Sequence, residues 1–295
     1  SAGGVHHSSP TRAAAWHNRL TMIVCKTSQK MKLEVLICTF DERIKQISHI
    51  FLSQRPDVSY LVSFQYSNDK MLELLKDFTF NRPDIKLITI KGHGLSANRN
   101  HALKNLTGDI ILIADDDVRY ENSYFDNILH QFQSDTKLDI ACFQANDMEG
   151  KPLRTYPDFS FSYEKSPHGV HYILSVAIAM RHVHNLPEFD ERFGIGAPYL
   201  GAGEEEIFLW EASHAGLHIR YIPEVIVKTE RRTTSSTFFT NKAVQRSKGA
   251  VLCKMHGPVK AWLRCLKYAV MHCRGHHFLR ILLEMTRGIL YAGRK

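Results

Sequence analysis

Three consecutive carboxylates, Asp115-Asp116-Asp117, close the apolar run Ile110-Ile111-Leu112-Ile113-Ala114. Acidic side chains this close repel one another, so placing them at the end of a buried strand calls for a compensating positive charge. A divalent cation, Mg²⁺ or Mn²⁺, supplies it: carboxylate oxygens are hard ligands, and phosphate oxygens can complete the shell. A solvated, Asp-rich turn is the plainer reading of such a triplet taken alone. A second acidic cluster, Glu204-Glu205-Glu206, follows Gly201-Ala202-Gly203 and precedes Ile207-Phe208-Leu209-Trp210. Acids in the first turn of a helix are favoured by the helix dipole, which alone would explain the cluster. One of them, held beside a reacting hydroxyl, could also take its proton.

The elements that must position these groups follow from pattern and punctuation. Leu33 to Thr39 reads as an opening strand, and Ile44, Ile47, Ile50 and Phe51 recur behind it at helical spacing. Tyr60 to Phe64 and Ile85 to Ile90 read as the second and third strands. Gly92-His93-Gly94 frees the backbone, Ser96 is placed to cap, and Ala97 to Leu106 reads as a short helix. Strands alternating with helices predict an α/β fold, a doubly wound and mostly parallel sheet with ligands at the carboxyl ends of its strands. Asp115 to Asp117 fall at such an end.

Gly94-Leu95-Ser96-Ala97-Asn98-Arg99-Asn100, a helix, Thr107-Gly108-Asp109, a strand and then Asp115-x-Asp117 together resemble the family-2 glycosyltransferases with the GT-A fold. Gly203-Glu204-Glu205 is similar to that family's Gly-Glu-Asp motif, with Glu in place of Asp. The resemblance covers roughly Leu33 to Thr229. It implies an inverting, metal-dependent transfer of a sugar from a nucleotide-sugar, expected to be UDP-linked, to a saccharide or lipid-linked acceptor hydroxyl. Asp117, with Asp115, would hold the metal, and Glu205 or Glu204 would be the base. Thr39, Asp41, Arg43, Asn98, Arg99, Asp115 and Asp116 would face the donor, with Arg99 on phosphate. Relatives often place a further His ligand after the last core strand. The corresponding position here is near Lys228 or Thr229, neither of which suits these cations. The Gly-rich stretch from Asp190 to Gly201 resembles bacterial enzymes that build surface polysaccharides. Two other readings stay open: a nucleotidyltransferase, although Thr39-Phe40-Asp41-Glu42-Arg43 is no Gly-rich phosphate loop, and a non-catalytic scaffold that binds a membrane or partner.

Charge is unevenly placed. Residues 231–295 hold fourteen lysines and arginines against the single acid Glu284, a net +13, so the chain's overall +8 leaves −5 for residues 1–230. Apolar stripes that include Trp262, Leu263, Leu266 and Leu282 are interrupted by Arg264, Lys267, Arg280 and Arg287. A basic amphipathic helical extension over 231–295 is expected, either packed on the core or lying on an anionic membrane surface. No apolar run is long enough to span a bilayer, and no motif that reads nucleic acid accompanies the basic charge. Six scattered cysteines without Cys-x-x-Cys spacing suit a reducing cytoplasm, and the basic helices make the inner face of the cell membrane the expected place of action. Residues 31–230 are expected to form the catalytic domain. Residues 1–30 lack periodicity and are expected to be a disordered leader or an expression remnant.

Overall fold

The computed structural model describes residues 31–77, 82–165, 173–230, 237–273 and 277–293. The leader therefore lies outside the described residues. Among them an eight-stranded sheet runs in the order β3-β2-β1-β4-β7-β5-β8-β6. The strands are β1 (Leu33–Phe40), β2 (Val58–Tyr66), β3 (Ile85–Lys91), β4 (Ile110–Ala114), β5 (Ile140–Asn146), β6 (Phe161–Ser162), β7 (Ile178–Arg181) and β8 (Ile219–Lys228). β1 pairs in parallel with β2 and β4, β2 with β3, and β5 with β8.

β1 is buried on both faces, and alternate residues serve different layers. Leu33, Val35 and Ile37 join the cluster that contains Phe125, Ile128 and Phe132 of α2 (Asn122–Ser134). Leu36 and Cys38 join the opposite cluster with Phe208, Leu209 and Ala212 of α3 (Glu204–His214). The segment after β1 is a succession of 3₁₀ turns, Asp41–Ile50, rather than an α-helix. Its buried residues Ile44, Ile47 and Ile50 recur every third position, the period of that tighter helix.

β7 departs from the parallel pattern, pairing antiparallel with both β4 and β5. Its direction matters: the residues that enter it, including Ser175, arrive at the carboxyl end of β4. The Thr-Gly pair before β4 also has a structural cause. The buried Glu34 carboxylate accepts the Thr107 and Gly108 amides, at 2.6 and 2.8 Å, and the Thr107 hydroxyl at 2.9 Å. A Cβ on Gly108 would lie 2.6 Å from that of Glu34.

Three helices complete the fold: α4 (Lys242–His256), α5 (Pro258–His272) and α6 (Phe278–Ala292). The described residues form one compact unit. No helix among the described residues is long and apolar enough to cross a membrane.

Candidate active site

The loop after β4 divides its three carboxylates. Asp116 turns inward and is buried, accepting the Thr39 hydroxyl at 3.0 Å and the Arg43 Nε at 2.8 Å. Asp115 and Asp117 each keep a third of their side-chain surface exposed. Arg43 Nη2 lies 3.6 Å from Asp117, and the Thr229 hydroxyl donates to Asp117 Oδ1 at 3.4 Å. Thr229 thus sits beside the acidic loop, whereas the Lys228 ammonium is held by Glu121 at 2.6 Å. Burial, with Asp115 and Asp116 adding like charge, pushes the Asp117 carboxyl up to about 6.

Arg99, on α1 (Leu95–Leu103), ties this loop to the second acidic cluster. Its side chain is fully buried, with the guanidinium over the Phe189 ring at 5.3 Å. Nη2 donates to Asp115 at 3.0 Å and to the Ser175 hydroxyl at 2.9 Å, while Nη1 reaches Glu204 at 3.4 Å. Burial disfavours its charge, but Asp115 and Glu204 outweigh that and hold the proton more tightly. Beneath the site, burial pushes the Cys38 thiol up to about 12, so it is no nucleophile.

α3 opens at Glu204 after Gly203, whose φ is +90°. Glu204 is buried under Gly194, where a Cβ would come within 3.1 Å of the Glu204 carboxyl carbon and of the Ser96 hydroxyl. Glu205 is half-buried, and burial together with Glu204 and Glu206 raises its carboxyl well above the usual range.

One local expectation needs correction, and several of the residues expected to face a donor lie buried. Ser96 does not cap α1; the helix begins at Leu95 after Gly94, and Ser96 donates instead to the Phe193 carbonyl at 2.8 Å. Arg99 has no exposed surface with which to meet a phosphate. Asn98 is also buried, its amide nitrogen donating to the Thr39 and Ser63 carbonyls and its oxygen accepting from the Ser63 hydroxyl. Thr39 is buried with its hydroxyl donated to Asp116, which also accepts from Arg43. Of the residues expected to face a donor, Asp41, Arg43 and Asp115 retain exposed surface.

Asp41 is the one non-glycine among the described residues with positive φ, at 45°. Its carboxylate accepts the Ser67 amide at 2.8 Å and the Ser67 hydroxyl at 2.7 Å, fixing the loop after β1 to the loop after β2. Two positions were not anticipated from sequence. Ser175 carries no motif, and its place beside Arg99 follows from the reversed direction of β7. Gly194 stood out only as one glycine of a loop, and its packing on Glu204 is a tertiary fact.

The donor set suits a hard divalent cation in part. Asp115 and Asp117 offer carboxylate oxygens to solvent on one loop, a pair of hard ligands whose mutual repulsion a cation would relieve. No group of three or more acid, His or Cys ligands gathers among the described residues. The remaining positions of a shell would fall to phosphate oxygens and water.

Comparison with known proteins bears on the fold and the family. The pre-mycofactocin glycosyltransferases of Mycobacterium tuberculosis strains CDC 1551 / Oshkosh and H37Rv are each 26% identical over 238 residues, 66% of this chain and 49% of theirs. The chain spans about half the length of these curated relatives. Among solved structures, S. aureus TarS 1-349 in complex with UDP-GlcNAc superposes with a TM-score of 0.59 at 16% identity, covering 89% of this chain and 79% of that one. The complex of the same protein with UDP gives 0.54 at 16% identity, covering 84% and 73%. The shared fold is GT-A. A profile described as Glycosyl transferase family 2 matches residues 34–183, from β1 through Asp115–Asp117 to β7, and the chain belongs to that family.

Proposed function

We propose that this protein transfers a sugar from a UDP-linked donor to a hydroxyl of a saccharide or lipid-linked acceptor, with inversion at the anomeric carbon. The observation that carries the reading is the position of Arg99. Its guanidinium joins Asp115 to Glu204, so two acidic clusters far apart in the chain share one buried cation. Donor complexes of the structurally similar TarS, with UDP and UDP-GlcNAc, support the choice of UDP. Synthesis of a surface polysaccharide and work at the inner face of the cell membrane belong to the same proposal.

Asp115 and Asp117 are the residues to hold Mg²⁺ or Mn²⁺, which when bound supplies Lewis-acid neutralisation of the departing diphosphate. Arg43, exposed over half its side chain and anchored on Asp116, carries positive charge at the same mouth. Asp41 orders the β1 loop against Ser67 where a nucleoside would lie. Arg99, Thr39, Asn98 and Asp116 position this set without touching the donor.

Glu205 is the base. Glu204 is occupied by Arg99 and packed beneath Gly194, whereas Glu205 is half-buried and its raised carboxyl holds an incoming proton well. The acceptor oxygen bonds to the anomeric carbon as Glu205 takes its proton. The bond from that carbon to the diphosphate oxygen breaks, and UDP leaves with the electron pair. A single displacement of this kind inverts the configuration.

The test is calorimetric titration of UDP in the presence of Mn²⁺, with wild type beside Asp117→Ala. Metal-dependent binding that vanishes in the variant is the expected result. No binding of UDP, GDP, CDP or dTDP by wild type would sink the reading and favour a non-catalytic scaffold. Once a donor is known, Glu205→Gln should keep UDP affinity and lose roughly 10²–10⁴-fold in kcat. Glu204→Gln should lose less.

A further inference from the structure

α5 and α6 each carry two apolar faces, and packing uses only one. At about 100° per residue, Ala261, Cys265 and Ala269 form a stripe on α5 that is buried in the helical cluster. Val259, Trp262, Leu263 and Val270 gather on another side of the same helix, between 41% and 74% exposed. Lys260 and Lys267 edge that outer stripe along one side and are exposed. α6 repeats the design. Ile281, Met285 and Ile289 are buried, while Leu279, Leu283 and Leu290 stand between 49% and 74% exposed. Arg280 and Arg287 lie beside them, also exposed.

Burial in the fold explains the inner stripes and leaves the outer ones unexplained. Apolar side chains facing water in this number and alignment mark an interaction surface. The charge around them selects the partner. The segment that bears both helices carries a net +13, against −5 for the rest of the chain. An apolar ridge edged by Lys and Arg, with a half-exposed Trp, matches a surface that is anionic at the headgroups and apolar just beneath. Neither signal alone gives firm attachment, and here both lie on the same two helices.

We propose that the outer faces of α5 and α6 bind an anionic lipid surface. Trp262, Leu263, Leu279 and Leu283 enter the headgroup–acyl boundary, and Lys260, Lys267 and Arg280 meet lipid phosphates. The inference gives the molecular surface for the membrane location proposed above and rests on that reading for its setting. It does not depend on sugar transfer.

The experiment is co-sedimentation of the full chain with vesicles of phosphatidylcholine alone, or with about one third phosphatidylglycerol. It is run beside Leu263→Glu/Leu279→Glu and Lys260→Glu/Lys267→Glu, all of them exposed positions whose substitution leaves the core intact. Binding to the anionic vesicles, weakened by salt and reduced about tenfold or more in each double variant, is expected. The proposal is overturned by no binding, by equal binding to neutral vesicles, or by binding that both variants retain. It is also overturned if the wild type is a dimer that Leu263→Glu/Leu279→Glu dissociates, since the ridge is then a self-interface. UDP titration of the same samples separates the two readings. Vesicle binding without nucleotide binding refutes the donor proposal alone, and the converse refutes this one alone.

Discussion

Asp117 is placed at a cost to stability that its proposed function accounts for. Its carboxyl, pushed up to about 6 from 3.8, binds a proton more tightly in the folded protein than in the unfolded chain. The sign follows: this group's contribution to stability falls as pH rises from about 4 to about 6, and it is destabilising at neutral pH. Asp117→Asn should therefore raise thermal stability at pH 8, by about 1 kcal/mol once solvent screening of a partly exposed group is allowed for. The same variant should lose metal-dependent UDP binding. Mn²⁺ should raise the melting temperature of wild type and leave that of Asp117→Asn unchanged, which scanning calorimetry would read directly. A fall in stability for Asp117→Asn at pH 8 would contradict the account. Arg99 has the opposite character. Arg99→Met strips a buried cation from Asp115 and Glu204 and should destabilise by about 3–5 kcal/mol, measured by urea unfolding.

Among the elements, the contact of α4 with α6 depends on two glycines. A Cβ on Gly249 would sit 1.9 Å from the Met285 carbonyl oxygen, and one on Gly288 the same distance from that of Arg246. The backbones touch, so neither helix can accommodate a methyl group without moving. Gly249→Ala is expected to destabilise by about 3 kcal/mol or more, visible as a lowered denaturation midpoint in circular dichroism. The apolar stripes from Trp262 onward point to helix over α5 and α6, because an amphipathic stripe is a local property, and α4 carries none of those residues. The crossing of α4 with α6 depends on side-chain absence at two matched positions, which reads in sequence as two ordinary glycines. β7 teaches the same lesson. Its apolar residues mark a buried strand in either direction, and its antiparallel pairing is decided by where the preceding chain lies.

At the scale of the whole molecule, the C-terminal helices brace the loop that leads into α3. The Ser247 hydroxyl accepts the Gly201 amide at 2.9 Å and the Ala202 amide at 3.1 Å. Lys254 bridges Asp190 and Glu211, at 2.7 and 2.6 Å. Glu284, the single acid of residues 231–295, is buried between Arg246 and Arg287, and Arg246 also stacks on Tyr199 at 4.0 Å. Burial alone would raise the Asp190 carboxyl, but Arg192 and Lys254 outweigh it and hold the group below its usual range. A depressed carboxyl contributes stability above its unfolded value that is lost as pH falls through the folded one, so this brace should weaken only in acid below about pH 4. Lys254→Met should cost about 2–3 kcal/mol and also lower kcat with little change in UDP affinity. Unchanged kcat would show that the helices brace the fold without bearing on the placement of Glu205.

The alternation of strands and helices, both acidic clusters and the uneven charge are legible in the chain alone. These are written in residue type and short-range spacing, and the resemblance to family-2 glycosyltransferases rests on them. It also singled out Asp115, Asp117, Glu204 and Glu205. Tertiary structure decided which of the singled-out residues face solvent. Thr39, Asn98, Arg99 and Asp116 are polar, motif-borne and buried, and burial depends on which strands lie side by side and on what covers their ends. It likewise decided that Glu204 belongs to Arg99 while Glu205 stays clear, and that α5 and α6 have an apolar face to spare. Those outcomes arise from contacts between distant segments, and local spacing carries no record of them.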